Sequence, residues 1–126
     1  MGIEQRTYNR FLVKDNAFIA LQNGHTRVGN ISNISKGGSL FEYIRDRDAE
    51  EHDDYTLDIF VFEDQFRLDN IPCAVVYDSS EKKSIENSYV SLFITSRCGV
   101  QFSSLSDDQL KQLSYFIENY TTGLAP

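Results

Sequence analysis

The sequence predicts an all-β fold, an antiparallel barrel or sandwich with a single helix at its C-terminal end. Two patterns lead there. Between Phe11 and Phe102, six or seven short β-rich runs follow one another with turn residues between them and no helical periodicity. After Leu105 the apolar spacing turns helical, behind a sequence that caps a helix. With 126 residues the chain is of single-domain size and long enough to bury a modest core.

Phe11-Leu12-Val13 and Ala17 to Gln22 are the first apolar runs, and Asn23-Gly24 marks a tight turn before the next. Thr26 to Ile34 alternates loosely until Lys36-Gly37-Gly38 interrupts it, and Ser39 to Ile44 resumes the strand pattern. Tyr55 to Phe62 places Tyr55, Leu57, Ile59 and Val61 on one face, with Phe60 and Phe62 on the other. Cys73 to Tyr77 and Tyr89 to Thr95 are further strands, and Val100 with Phe102 makes a last short one. Ser106-Asp107-Asp108-Gln109 has the form of a capping box, with Leu105 and Leu110 spaced as a hydrophobic staple. Asp107 and Asp108 suit the positive end of the helix dipole. Leu110, Leu113, Ile117 and Tyr120 then form an apolar stripe expected to pack on the β-structure.

The bulk properties narrow the function. A net charge of −7 argues against general DNA or RNA binding, which depends on neutralising many phosphates, but leaves room for a small anion held by a few arginines. No apolar run approaches the ~20 residues of a membrane span. The opening Met1 to Arg6 has no signal-peptide core, so a cytoplasmic protein without membrane insertion is expected. Cys73 and Cys98 lack metal-ligand spacing and read as small core residues. The acidic run from Arg45 to Asp54 lacks the ordered ligands and glycine of a calcium loop, and reads as a solvated loop. Neither His25 nor His52 sits in a nucleophile or zinc motif, so nothing asks for a catalytic centre, a metal or a cofactor.

Two short patterns carry chemistry. Arg6 and Arg10 are four apart, so their guanidinium forks can converge on phosphate oxygens or on the O6/N7 edge of guanine. Taken alone, such a pair is usually just solubilising. In Asn33-Ile34-Ser35-Lys36-Gly37-Gly38, Asn33 and Ser35 share a strand face with Ile34 turned to the core, and the glycines permit a sharp turn and a close-lying ligand. Taken alone, this also fits an ordinary turn between two strands.

In this order, within an all-β chain, the two patterns resemble the signature of PilZ domains, R-x-x-x-R followed by [D/N]-x-S-x-x-G. The motif residues here are Arg6 and Arg10, then Asn33, Ser35 and Gly38. Ile71 to Tyr77 looks like the central strand of that family, and Gly99-Val100-Gln101-Phe102 with the capped helix looks like its ending. The resemblance implies a six-stranded antiparallel β-barrel of split-barrel type with a C-terminal α-helix. Residues 1–10 would form an arginine-bearing arm, 11–104 the barrel and 106–121 the helix of one domain. It also implies a non-catalytic bacterial receptor for the second messenger cyclic di-GMP, which relays binding to a protein partner by ordering the arm. Arg6 and Arg10 would clamp phosphates and guanines, Asn33 and Ser35 would contact a guanine, and Gly38 would shape the turn. Gln5 stands where some members carry a further arginine and bind a stacked ligand dimer, which implies one ligand per domain here. The alternative is a PilZ-fold interaction adaptor that binds no nucleotide.

Overall fold

The computed structural model describes residues 8–23, 26–46, 55–81 and 93–126. Strands β1 (Phe11–Val13), β2 (Ala17–Gln22), β3 (Thr26–Ile34), β4 (Gly38–Asp46), β5 (Tyr55–Val61), β6 (Phe66–Glu81) and β7 (Phe93–Phe102) precede helix α1 (Asp107–Asn119) and a final strand β8 (Thr121–Leu124). All the strand pairings among them are antiparallel.

Six strands close on themselves in the order β2-β5-β6-β7-β4-β3, with β3 returning to β2. The closure depends on β3 changing neighbours along its length. Residues Thr26 to Asn30 pair with β2, whereas Asn33 and Ile34 pair with β1, which in turn pairs with β8. The ring is the expected six-stranded barrel, and β1 and β8 extend it at one end. Strand alternation supplies the core: Ile19 and Leu21, Leu57 and Ile59, and Cys98 and Val100 all point inward and are buried. On β5 the sequence pattern holds, with Phe62 70% exposed on the opposite face.

Several elements differ from the sequence expectation. The runs at Tyr89 to Thr95 and Val100 to Phe102 belong to one strand over its described part, because β7 keeps continuous register with β4 from Phe93 to Gln101. Residues 89–92 lie outside the described residues. The Cys73 to Tyr77 run is the middle of a strand of 16 residues. That strand serves two neighbours in turn, pairing with β5 up to Cys73 and with β7 from Cys73 onward. Asn70, at φ 59°, kinks it without ending it, since the buried Asp58 carboxylate accepts the Asn70 N–H at 2.8 Å and Gln22 Nε2 at 3.0 Å.

Helix α1 starts as expected. Ser106 Oγ accepts the Gln109 N–H at 3.1 Å, and Gln109 Oε1 accepts the Ser106 N–H at 3.0 Å. Gln109 Nε2 also donates to the carbonyls of Asp69 and Asn70, tying the helix start to the kink in β6. The buried stripe is rotated from the expected one. Leu113, Phe116 and Tyr120 are buried and Leu110 is 43% exposed, because Phe66 draws Phe116 and Tyr120 into an aromatic cluster with centroids 5.6 and 5.5 Å away. The helix ends at Asn119 rather than at residue 121, where the chain turns into the unforeseen β8.

Among the described residues, no helix is long and apolar enough to cross a membrane, and no cluster of His, Cys, Asp and Glu could hold a metal ion. His25, His52 and residues 47–54 of the acidic run lie outside the described residues. Both cysteines are buried in the hydrophobic core, as the sequence suggests.

Candidate functional site

The turn between β3 and β4 is built around one hydroxyl. Ser35 Oγ accepts the N–H groups of Gly37 at 3.1 Å and Gly38 at 3.2 Å. The Ser35 backbone N–H donates to the Gly38 carbonyl at 2.9 Å. Ser39 Oγ donates to the Asn33 carbonyl at 2.7 Å, so both sides of the turn are tied together. Ile34 between them is fully buried, which fixes how the turn projects from the barrel.

Two close approaches explain the glycines. A Cβ on Gly38 would sit 2.2 Å from the Val100 carbonyl oxygen, so β4 can begin against β7 only without a side chain there. A Cβ on Gly37 would sit 2.9 Å from the ring of Tyr8. The residues just before β1 therefore lie over the turn, with Tyr8 as the covering ring. From there the chain is held in place: β1 pairs with β3 and β8, Arg10 O accepts the Ala125 N–H at 2.8 Å, and Lys14 N donates to Tyr120 O at 2.9 Å.

Beside this turn lies a cavity of about 680 Å³ along the outer side of β4, β7 and β6. Arg10, Asn33, Ser35 and Gly38, four of the five residues singled out from the sequence, line it. Arg6 lies outside the described residues. The Ser35 hydroxyl both lines the cavity wall and holds the turn by accepting the two glycine N–H groups. Although the chain carries 19 acidic and 12 basic residues, the described lining holds two arginines and no carboxylate. A concave site of this composition suits an anion with flat, polar-edged parts.

The PilZ domain profile matches residues 4–119, which spans both the arginine segment and the turn. The chain belongs to the PilZ domain family. No curated protein sequence is similar enough to match it. Among solved structures, it resembles the PilZ domain of YcgR from Escherichia coli, determined with c-di-GMP, at a TM-score of 0.66 and 14% identity over 93% of this chain and 92% of that one. It also resembles MrkH, described as a c-di-GMP-dependent transcription regulatory factor, at a TM-score of 0.57 and 12% identity. A third is the Bacillus subtilis inhibitor of motility MotI/DgrA, at 0.53 and 18%. The match covers 93% and 92% of this chain, respectively, but 51% of each of those two longer chains. At these identities the likeness shows a shared fold, a closed PilZ barrel with one C-terminal helix.

The PilZ cavity also has walls that no motif announced. Tyr77 and Val76 of β6 and Arg97, Gly99 and Gln101 of β7 line it as well. Strand alternation around the buried Cys98 and Val100 turns Arg97, Gly99 and Gln101 outward. Tyr77 owes its place to a register shift between Val75 and Tyr77, which adds Val76 as an extra residue and sets Tyr77 opposite Gly99. The same shift sets Asp78 opposite Cys98, and although Asp78 stays exposed, the hydroxyl of the buried Tyr43 donates to its carboxylate at 2.9 Å.

Proposed function

We propose that this PilZ domain is a non-catalytic, cytoplasmic receptor for cyclic di-GMP, with the cavity beside the β3–β4 turn as its binding site. The observation that carries this reading is the convergence of Arg10, Asn33 and the Ser35-ordered turn on a cavity whose described lining has arginines and no carboxylate. Arg10 would take a phosphate or a guanine edge by charge-assisted hydrogen bonds, and the Asn33 amide would contact the guanine nearest the turn. Arg6, one helical turn's worth of sequence earlier, would close over the ligand and order the segment before Tyr8. The ordered arm then offers a downstream protein partner a different surface, by as much as the ligand favours the ordered state.

The test is a calorimetric titration of the protein with cyclic di-GMP, GTP and GMP, repeated on Arg10→Ala. Saturable binding of cyclic di-GMP alone, at one ligand per chain, is expected. Loss of one charge-assisted contact should weaken it by about one to two decades in the variant. A parent protein that binds none of the three overturns the receptor reading and favours an adaptor that uses the same fold without a nucleotide.

A further inference from the structure

Arg97 stands at the far end of the cavity from the arm. It is four residues from Gln101, which is level with Gly38 in the β4–β7 ladder, so about 13 Å of strand separates Arg97 from the turn. The stretch between has a distinctive floor. Gly99 presents no side chain, Leu40 flanks it on β4, and Tyr77 flanks it on β6 with its Cβ 3.2 Å from where a Gly99 Cβ would stand. Tyr77 is half exposed and lines the cavity. A bare strip between an aliphatic and an aromatic wall suits the flat face of a purine rather than a phosphate.

At the end of that strip the guanidinium of Arg97 makes an exposed ion pair, Nε to Glu42 Oε1 at 3.1 Å, with the two side chains 51% and 46% exposed. Exposed pairs of this kind contribute little to stability, so a ligand can take the place of the Glu42 carboxylate at small cost. The planar fork matches the O6 and N7 acceptors of guanine, whereas adenine offers an N6–H₂ donor in place of O6.

We propose that Arg97 is a further specificity-determining residue, reading the O6/N7 edge of the second base of a dinucleotide whose first base lies at the Asn33 turn, with Glu42 competing for it. This rests on the cavity being the cyclic dinucleotide site. It makes the protein a reader of two guanines rather than of one guanine and a phosphate pair.

The experiment compares cyclic di-GMP with the mixed cyclic guanosine–adenosine dinucleotide by titration against the parent, Arg97→Ala, Arg97→Lys and Glu42→Gln, with thermal melts to verify folding. The parent should prefer cyclic di-GMP by about tenfold or more, the scale of a bidentate arginine–guanine contact. Arg97→Ala should lose that preference, binding both ligands at the parent's weaker affinity. Arg97→Lys, which keeps the charge and loses the fork, should also fail to discriminate. Glu42→Gln should bind cyclic di-GMP more tightly by a few-fold. A folded Arg97→Ala that keeps the parent's affinity or its preference overturns the assignment. So does an equal loss for both ligands, which would mark a general charge effect. Failure of the parent to bind either ligand is a different result, because it removes the receptor reading itself.

Discussion

The backbone carbonyl of Arg10 accepts the N–H of Ala125 at 2.8 Å, so the cavity-lining arginine is pinned by the residue that follows β8. The two residues are 115 positions apart in sequence, and neither side chain takes part in the bond. The position of Arg10 over the cavity is thus a property of both ends of the domain.

Replacing Ala125 by proline removes this donor. A single hydrogen bond contributes about 0.5–1.5 kcal/mol net, so Ala125→Pro should weaken cyclic di-GMP binding by roughly three- to tenfold. Titration of the variant, alongside a melt that changes by only a few degrees, checks this.

Gly37 and Gly38 should respond differently to the same change. At Gly38 an added Cβ meets the Val100 carbonyl, which is backbone inside the β4–β7 ladder, so Gly38→Ala should cost about 1–3 kcal/mol of stability as well as binding. At Gly37 it meets the ring of Tyr8, an exposed side chain that can swing away. Gly37→Ala should therefore melt close to the parent while binding more weakly, because the segment before β1 is displaced. Denaturant titration and calorimetry on the pair separate the two effects.

Asp58 should matter for the fold and not for the ligand. Its buried carboxylate accepts the Asn70 N–H and Gln22 Nε2, far along the chain from the turn at Ser35. Asp58→Ala leaves both donors without it and should cost about 1–3 kcal/mol by urea denaturation. Under conditions where the variant stays folded, its affinity for cyclic di-GMP should match the parent.

Cys73 gives a signature in alkaline solution. Burial pushes its thiol up to about 11, from an ordinary 9.0. Between those values the unfolded chain has released the proton and the folded one still holds it, so stability falls as pH rises from about 9 toward 11. Two pH units correspond to about 2–3 kcal/mol at the upper end. Denaturation curves at pH 7 and pH 10.5 should show this loss in the parent and a smaller one in Cys73→Ala.

Much of this arrangement is legible in the sequence where a local rule and the tertiary fold agree. The alternation at Leu57, Ile59 and Val61, the Ser106–Gln109 capping box and the Asn33 to Gly38 turn all act through near neighbours, and all form as read. What escapes notice depends on pairing across the chain. Asn70 and Pro72 look like strand breakers, yet β6 runs through both because Asp58 takes up the Asn70 N–H. Thr121 to Leu124 has too little apolar pattern to announce a strand, and becomes one by pairing with β1. Leu110 fits the helical period as well as Phe116 does, and only the position of Phe66 decides between them. Arg97 and Tyr77 belong to no motif; ladder register alone brings them to the cavity.

The extra residue at Val76 has a consequence for how variation in this chain should be judged. Deleting Val76 removes one exposed aliphatic side chain, a change that looks mild on any scale of residue similarity. It would restore strict alternation after Val75 with Tyr77 still opposite Gly99 and Asp78 still opposite Cys98, so the ladder would close without its bulge and no side chain would change face. The bulge is thus a place where chain length can vary by one without turning the strand over. A homologue one residue shorter there would carry the same motif and keep its tyrosine in the cavity wall.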